Sequence, residues 1–503
     1  MSTVEAVDPR TGEVAGSYPA ARVADVDVAL AAAISASASP VMREDGRRAS
    51  ALRGIAAGLR VRADEVVSLA GVETGLPEVR LRGELERTAV QLELLADHVA
   101  AGEQHDAIID LPDPDHRPVA RPDLRRARVP IGPVAVFGAS NFPLAFSTAG
   151  GDTGAALAAG CPVIVKGHPS HPGTGTLVAA IVSAGVAEAG LPSGAFSHLL
   201  AAELDVAEAL VDHPATAAIA FTGSFRGGTA LLARAQARPR PIPVFAEMGS
   251  LNPVVVTPAG ADARGSAVAE ALAGAIGTFG GQLCTKPGLV FAPAGSMLAR
   301  ELAEALSAKG GQVLLNANVH SGYGSGVAAL AAADGVERLT PDSSPEASDG
   351  FTASPTLLRA PASAVARAAE LREECFGPAA VVLEYRDEEE LHAALATLGG
   401  QLAAAVYAER SEYASLTSLV ERLTSLAGRV IFDGVPTGVA VTLAMHHSGP
   451  WPASSAPAHT SVGATAVDRF LRPVVYQDTP DALLPPALRD ANPLGLVRRV
   501  NGE

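Results

Sequence analysis

The sequence predicts an α/β protein built on doubly wound, mostly parallel sheets. From residue 131 onward, short apolar runs alternate with stretches of helical spacing, and the alternation resumes after a break near residue 250. Each return to a parallel strand needs a covering crossover, which is why this grammar indicates such sheets. The length, 503 residues, corresponds to about three domains, or two large ones with an appendage, and can bury several cores without disulfides or metals.

Taken in order, the chain opens on a polar turn, DPRTGE, and then becomes mostly helical to about residue 110, with Ala, Leu and Val recurring at spacings of three and four. Prolines and arginines break that pattern over residues 110–130, which form either an extended arm or hairpin leaving the globule, or a solvated linker. The first strand series is PVAVFG (133–138), PVIVKG (162–167), FSHLL (196–200), AIAFTG (218–223) and PVFAEMG (243–249), with helical stretches between. The second runs through NPVVVTP, GLVFAP, AAVVLEY, AAAVYAE and RVIFDG.

Composition sets limits on function. Hydrophobic residues at 48 % and charged residues at 18 % exclude disorder of the whole chain. A net charge of −16 argues against nucleic acid and against an anionic membrane surface. Three cysteines make no disulfide framework. The N-terminal residues carry no basic, apolar leader and no 18-residue apolar run appears, so a cytoplasmic location is expected, with no membrane partner.

Candidate chemistry is sparse. No GxGxxG follows the first strand of the first series; the next residues are FGASNFPLAF. A glycine turn, FTGSFRGG, lies between a strand and a helix, where amides could hold a pyrophosphate or simply make a turn. Cys284, in GGQLCTKPG, is either an accessible thiolate aided by Lys286 or a small buried hydrophobe. Cys161 and Cys375 are core thiols. Glu247 ends an apolar strand and is either a buried base or a solvated acid. Lys166 and the pair Glu373 and Glu374 are equally ambiguous one at a time, and no metal site is expected.

Together the segments decide. FGASNFPL, VIVKGHPSHPGTG, FTGSFRGG, FAEMGSLNP, GGQLCTKPG and EECFGP resemble, in order and spacing, the aldehyde dehydrogenase superfamily over nearly the whole chain. The resemblance implies a Rossmann-type NAD(P)-binding domain (1–109 and 131–248), an α/β catalytic domain (249–467) and a small β oligomerisation element (110–130 and 468–503). It implies that Cys284 attacks the aldehyde, that Glu247 activates the water hydrolysing the thioester, and that Asn141 joins the Cys284 amide in an oxyanion hole. Lys166 would hold the adenine-side ribose, Gly223 and Ser224 the pyrophosphate, and Glu374 with Phe376 the nicotinamide riboside. Glu247 favours release of a free acid over transfer to coenzyme A or phosphate.

The expected cofactor is NADP or NAD. Pro169 stands where an acid often marks NAD preference, so a 2′-phosphate meets no repulsion there, and His168, His171 and Arg226 could attract it. Glu203 and Asp205 after the third strand weigh the other way. Finer resemblance, through HHSGPWPASSAPAHTSVGATAVDRFLRPVVYQ among others, is to enzymes oxidising α-ketoglutaric semialdehyde, with NADP-dependent fatty or other aliphatic aldehyde oxidation as the alternative. Ser448, the SGPWPAS turn or Lys286 could anchor the substrate's distal acid. A cysteine hydrolase would need a His–Cys pair; His446 and His447 exist, but no motif supports that use. A silent relative would be expected to have lost one of Asn141, Glu247, Cys284 or Glu374. The arm and the FLRPVVYQ strand imply a homodimer or homotetramer.

Overall fold

The computed structural model describes residues 2–342 and 350–503. Its first sheet has five parallel strands: β1 (Val134–Phe137), β2 (Val163–Gly167), β3 (Phe196–Leu200), β4 (Ala218–Thr222) and β5 (Val244–Glu247), in the order β3-β2-β1-β4-β5. The order reverses between β1 and β4, and in such sheets ligands bind beyond the carboxyl ends at that crevice. The strands are apolar on both faces because helices cover both. Val134, Val136, Val163 and Val165 face one core with the helices Asp45–Val61, Ala63–Thr74 and α1 (Glu78–Ala100). The alternate residues Ala135, Phe137 and Ile164 face another with the helix Val23–Ala38.

Local chemistry starts the helices that matter. α2 (Pro172–Glu188) has proline at its first position, and Glu73 from another helix caps it, accepting from the amides of Gly173 (2.7 Å) and Thr174 (2.8 Å). Ser224 caps α3 (Phe225–Gln236) by accepting from the Gly227 amide.

Through Met248–Pro253 the chain passes to a seven-stranded sheet: β6 (Val254–Val256), β7 (Leu289–Pro293), β8 (Glu337–Arg338), β9 (Thr356–Pro361), β10 (Ala379–Tyr385), β11 (Ala404–Tyr407) and β12 (Val430–Phe432). The order is β8-β9-β10-β7-β6-β11-β12, parallel except for β8. Its helix α4 (Pro258–Gly277), capped by Thr257, runs towards the nucleophile loop.

The turn DPRTGE is the tip of a hairpin, Thr3–Val7 against Val14–Pro19, which the helical reading of the N-terminal region lacks. Residues 110–130 are a hairpin, not a linker. Ile108–Asp110 and Leu124–Pro130 pair antiparallel, and Leu471–Gln477 adds to the outer side of the second strand. No helix among the described residues is long and apolar enough to cross a membrane.

Candidate active site

β5 ends on Glu247, whose carboxyl is buried. The Ser454 hydroxyl donates to Oε1 at 3.4 Å, while Oε2 has no hydrogen-bond partner among the described residues. Burial, with Asp152 adding to it and Arg469 opposing it, pushes its pKa up to about 8. The Gly223 amide donates to the Glu247 carbonyl at 3.0 Å, so the glycine turn and the acid are tied together.

Cys284 is delivered by a sharp reversal after α4. Phe279, Gly280 and Gly281 all have positive φ (55°, 66° and 62°), and a Cβ on Gly281 would lie 2.4 Å from the Gly377 carbonyl oxygen. Behind the loop, Asn252 is fully buried with φ 44° and donates through Nδ2 to the carbonyls of Cys284 (2.9 Å) and Lys286 (3.0 Å). Gln401 Oε1 in turn accepts from the amides of Leu251 (2.7 Å) and Asn252 (3.0 Å). Neither residue belongs to the sequence-predicted set. The only signal was the tripeptide LNP, where a strand begins after a turn.

Asn141 meets this loop from the other side. Its Nδ2 donates to the Gln282 carbonyl at 2.9 Å, leaving its second proton for another acceptor. The segment carrying it is pinned by α1: Arg80 donates to the Asn141 carbonyl (3.3 Å), and Glu84, paired with Arg80, accepts from the amides of Leu144 and Ala145, both at 2.9 Å.

The thiol's nearest polar partner is His447. Its Nε2 lies 3.6 Å from Cys284 Sγ, and its ring packs on Phe146 with centroids 5.9 Å apart. This is the His–Cys pair that motif reasoning left without support. Burial, Arg87 and Arg429 hold the imidazole well below its ordinary pKa; burial and the carboxylates of Glu374 and Glu247 push the thiol up. The resting pair is therefore neutral.

Lys286 does not assist the thiol. Its Nζ is fully buried and donates to the carbonyls of Cys375 (3.2 Å) and Ala379 (2.6 Å), which fastens the EECFGP loop. Ser448 is fully buried too, and neither residue lines the cavity of about 690 Å³ that opens onto Cys284. The walls of that cavity include Phe142, Phe146, Leu283, Val439, His447 and Arg87. Trp451 of the SGPWPAS turn sits outside it, half exposed against Phe225. Cys161 and Cys375 are buried thiols, as expected.

Lys166, His168 and His171 lie at and just beyond the carboxyl end of β2, beside His198 in the middle of β3. Lys166 forms no ion pair or hydrogen bond through its ammonium among the described residues, and burial lowers it to about 8. His168 stacks on His171 at 5.3 Å and accepts from the Ser170 amide. Burial and its charged neighbours depress His168, and His198 falls to about 4, so these rings offer hydrogen bonds but no charge. At His168 a 2′-phosphate would therefore meet a neutral ring. Glu374, raised to about 7 by burial, faces the Ser250 amide and keeps a buried Oε1 without a partner among the described residues. Phe376 follows in the same loop, partly buried. An unpaired ammonium and an unpaired carboxylate oxygen beside a nucleotide-type crevice fit the ribose hydroxyls of a dinucleotide. Gly223 has a packing reason as well, since a Cβ there would lie 2.5 Å from the Phe221 ring.

The model of the aldehyde dehydrogenase family matches residues 1–442. The chain is 44 % identical to α-ketoglutaric semialdehyde dehydrogenase 2 of Azospirillum brasilense, covering 100 % of this chain and 96 % of that protein. It is 42 % identical to α-ketoglutaric semialdehyde dehydrogenase of Acinetobacter baylyi, covering 99 % and 95 %. Among solved structures, the NAD-dependent aldehyde dehydrogenase of Sinorhizobium meliloti shares the fold with a TM-score of 0.78 and 24 % identity, covering 95 % of this chain and 92 % of that one.

Proposed function

The chain belongs to the aldehyde dehydrogenase family, and from that premise we propose that it oxidises α-ketoglutaric semialdehyde to 2-oxoglutarate with NAD or NADP. The observation that carries the reading is convergence: Cys284 and His447 line one cavity, Asn141 bonds to the nucleophile loop, and Glu247 is close enough to perturb the Cys284 thiol. The identity of the two relatives supports the substrate.

In this scheme the Cys284 thiol, oriented by its contact with His447, loses its proton to solvent as sulfur attacks the aldehyde carbon. The alkoxide that forms is stabilised by the Asn141 amide and the Cys284 backbone amide, donors fixed before the charge appears. A bound nicotinamide dinucleotide supplies the hydride acceptor that leaves a thioester on Cys284. Glu247 in its ionised form draws a proton from water to hydrolyse that thioester. Lys166 and Glu374 would hold the ribose hydroxyls, and Gly223 and Ser224, at the start of the helix that Ser224 caps, would lie at the pyrophosphate. Lys166 and the exposed Arg226 are cations available to a 2′-phosphate, and no acid stands at Pro169, so NADP is accepted alongside NAD.

Replacing Cys284 with alanine is expected to abolish NAD(P)H formation. Glu247→Gln is expected to give one burst of NAD(P)H per active site and then stall. Wild-type turnover by Cys284→Ala would refute the scheme. The apolar walls formed by Phe142, Phe146 and Leu283 favour a second reading, a neutral aliphatic aldehyde. A kcat/KM panel of α-ketoglutaric semialdehyde, succinic semialdehyde, glutaraldehyde and long-chain aldehydes, run with each cofactor, separates the two.

A further inference from the structure

We propose that Arg87 binds the carboxylate at the far end of the aldehyde and thereby selects acidic substrates; this deepens, and rests on, the substrate reading above. Arg80, Gly83, Glu84 and Arg87 follow helical spacing along α1 and all line the cavity that holds Cys284. Their charges are not equally engaged. Arg80 is paired with Glu84, and the other Glu84 oxygen is taken by two amides. Arg429 gives Nη1 and Nη2 to the carbonyls of Gly438 and Pro436. Glu270, a further acid on the lining, is exposed.

Arg87 differs from these. Its Nε makes one long hydrogen bond, 3.4 Å, to the Val439 carbonyl, and its Nη2 is buried with no partner among the described residues. The Phe146 ring lies beneath the guanidinium at 5.1 Å and holds its plane. Contacts run without a gap from Cys284 to His447 (3.6 Å), to Phe146 (5.9 Å) and to Arg87. A guanidinium cannot shed its proton, and the carboxylate near this partly buried one, Glu84, is already bonded to Arg80 and two amides, which leaves room for a further anion. A carboxylate matches its fork. Lys286 and Ser448, the other anchors considered, point elsewhere.

The test is a ratio: kcat/KM for α-ketoglutaric semialdehyde over that for pentanal, which has the same chain length and no acid. In Arg87→Met the ratio is expected to fall roughly a hundredfold, mostly through KM, since a charge-assisted bond is lost. Arg87→Lys, which keeps the charge, should recover part of it. Burst titration with pentanal counts intact sites, so misfolding cannot imitate the result. An unchanged ratio in Arg87→Met overturns the anchor alone. A wild-type enzyme indifferent to the acid overturns the substrate reading, and the anchor with it. A variant-free measurement stands beside these: glutarate, but not pentanamide, should slow alkylation of wild-type Cys284 by iodoacetamide, and absence of protection also overturns the proposal.

Discussion

Glu247 has a raised pKa, near 8, because its carboxyl is out of water and the nearby Arg469 charge and serine hydroxyls offset only part of the loss. At pH 7 roughly one such carboxyl in ten is ionised, so the step that needs the base gains as pH rises. The kcat of the wild-type enzyme should therefore climb between pH 7 and 9. In Glu247→Gln that rise should vanish, with kcat lower by about a hundredfold or more, as steady-state assays across the range would show. The same shift has a stability sign. The folded state holds a proton that the unfolded chain releases above its lower pKa of about 4.5, so stability is full below that value and falls as pH rises towards 8. Melting curves should show Glu247→Gln gaining on wild type at pH 8 to 9 and not at pH 4. Glu374, raised to about 7, leaves part of the slope in place. At this scale the motifs made Cys284, Glu247 and Asn141 legible, because each lies in a short run of fixed chemistry. His447 was not, since its partner is 163 residues away and a histidine in HHSGP carries no local pattern. Arg87 reads in sequence as one more solvated arginine on a charged helix; only the cavity distinguishes it.

Single residues act here because loops hold them, and the nucleophile loop is the clearest case. Asn252 and Gln401 replace the ladder bonds that a strand would supply, and three successive left-handed residues turn the chain just before Cys284. Asn252→Ala would strand two buried carbonyls and place alanine at a strained positive φ. Each orphaned group costs about 1–3 kcal/mol. The variant should melt several degrees lower and lose its NAD(P)H burst, whereas a variant that keeps the full burst would show that the loop holds itself. Most strands of the two sheets were legible because burial on both faces makes them continuous apolar runs, such as VAVF and VIV, but β9 was missed although it is buried, since Arg359 and Pro361 interrupt its short apolar run. The N-terminal hairpin and the short strand β8 were not: their sequences are polar or half exposed, and they exist by pairing with neighbours that local pattern cannot name.

For the whole molecule the open question is assembly. The strand Leu471–Gln477 pairs with Leu124–Pro130 on one side and, among the described residues, with no strand on the other. Large apolar side chains stand in solvent on this strand and just after it: Val475 is 55 % exposed and Leu483 74 %. Exposed apolar residues gathered beside a free strand edge fit a partner surface, since a solitary soluble chain usually blunts such an edge with charge. Arg125, Arg126 and Arg128 nearby are committed to Asp123, Asp490, Asp106 and Asp468, which leaves Arg472 as the exposed cation on the strand itself. The net charge of −16 repels copies of the chain at long range, so an assembly must be held by apolar contact and edge pairing rather than by attraction of opposite charges. Sedimentation velocity is expected to find a homodimer or homotetramer that survives, or tightens, as salt screens the repulsion. Val475→Arg should shift that population towards monomer while leaving the far cavity and its burst of NAD(P)H intact. A wild-type monomer at micromolar concentration would refute the assembly, and an oligomer untouched by Val475→Arg would place the contact on another face.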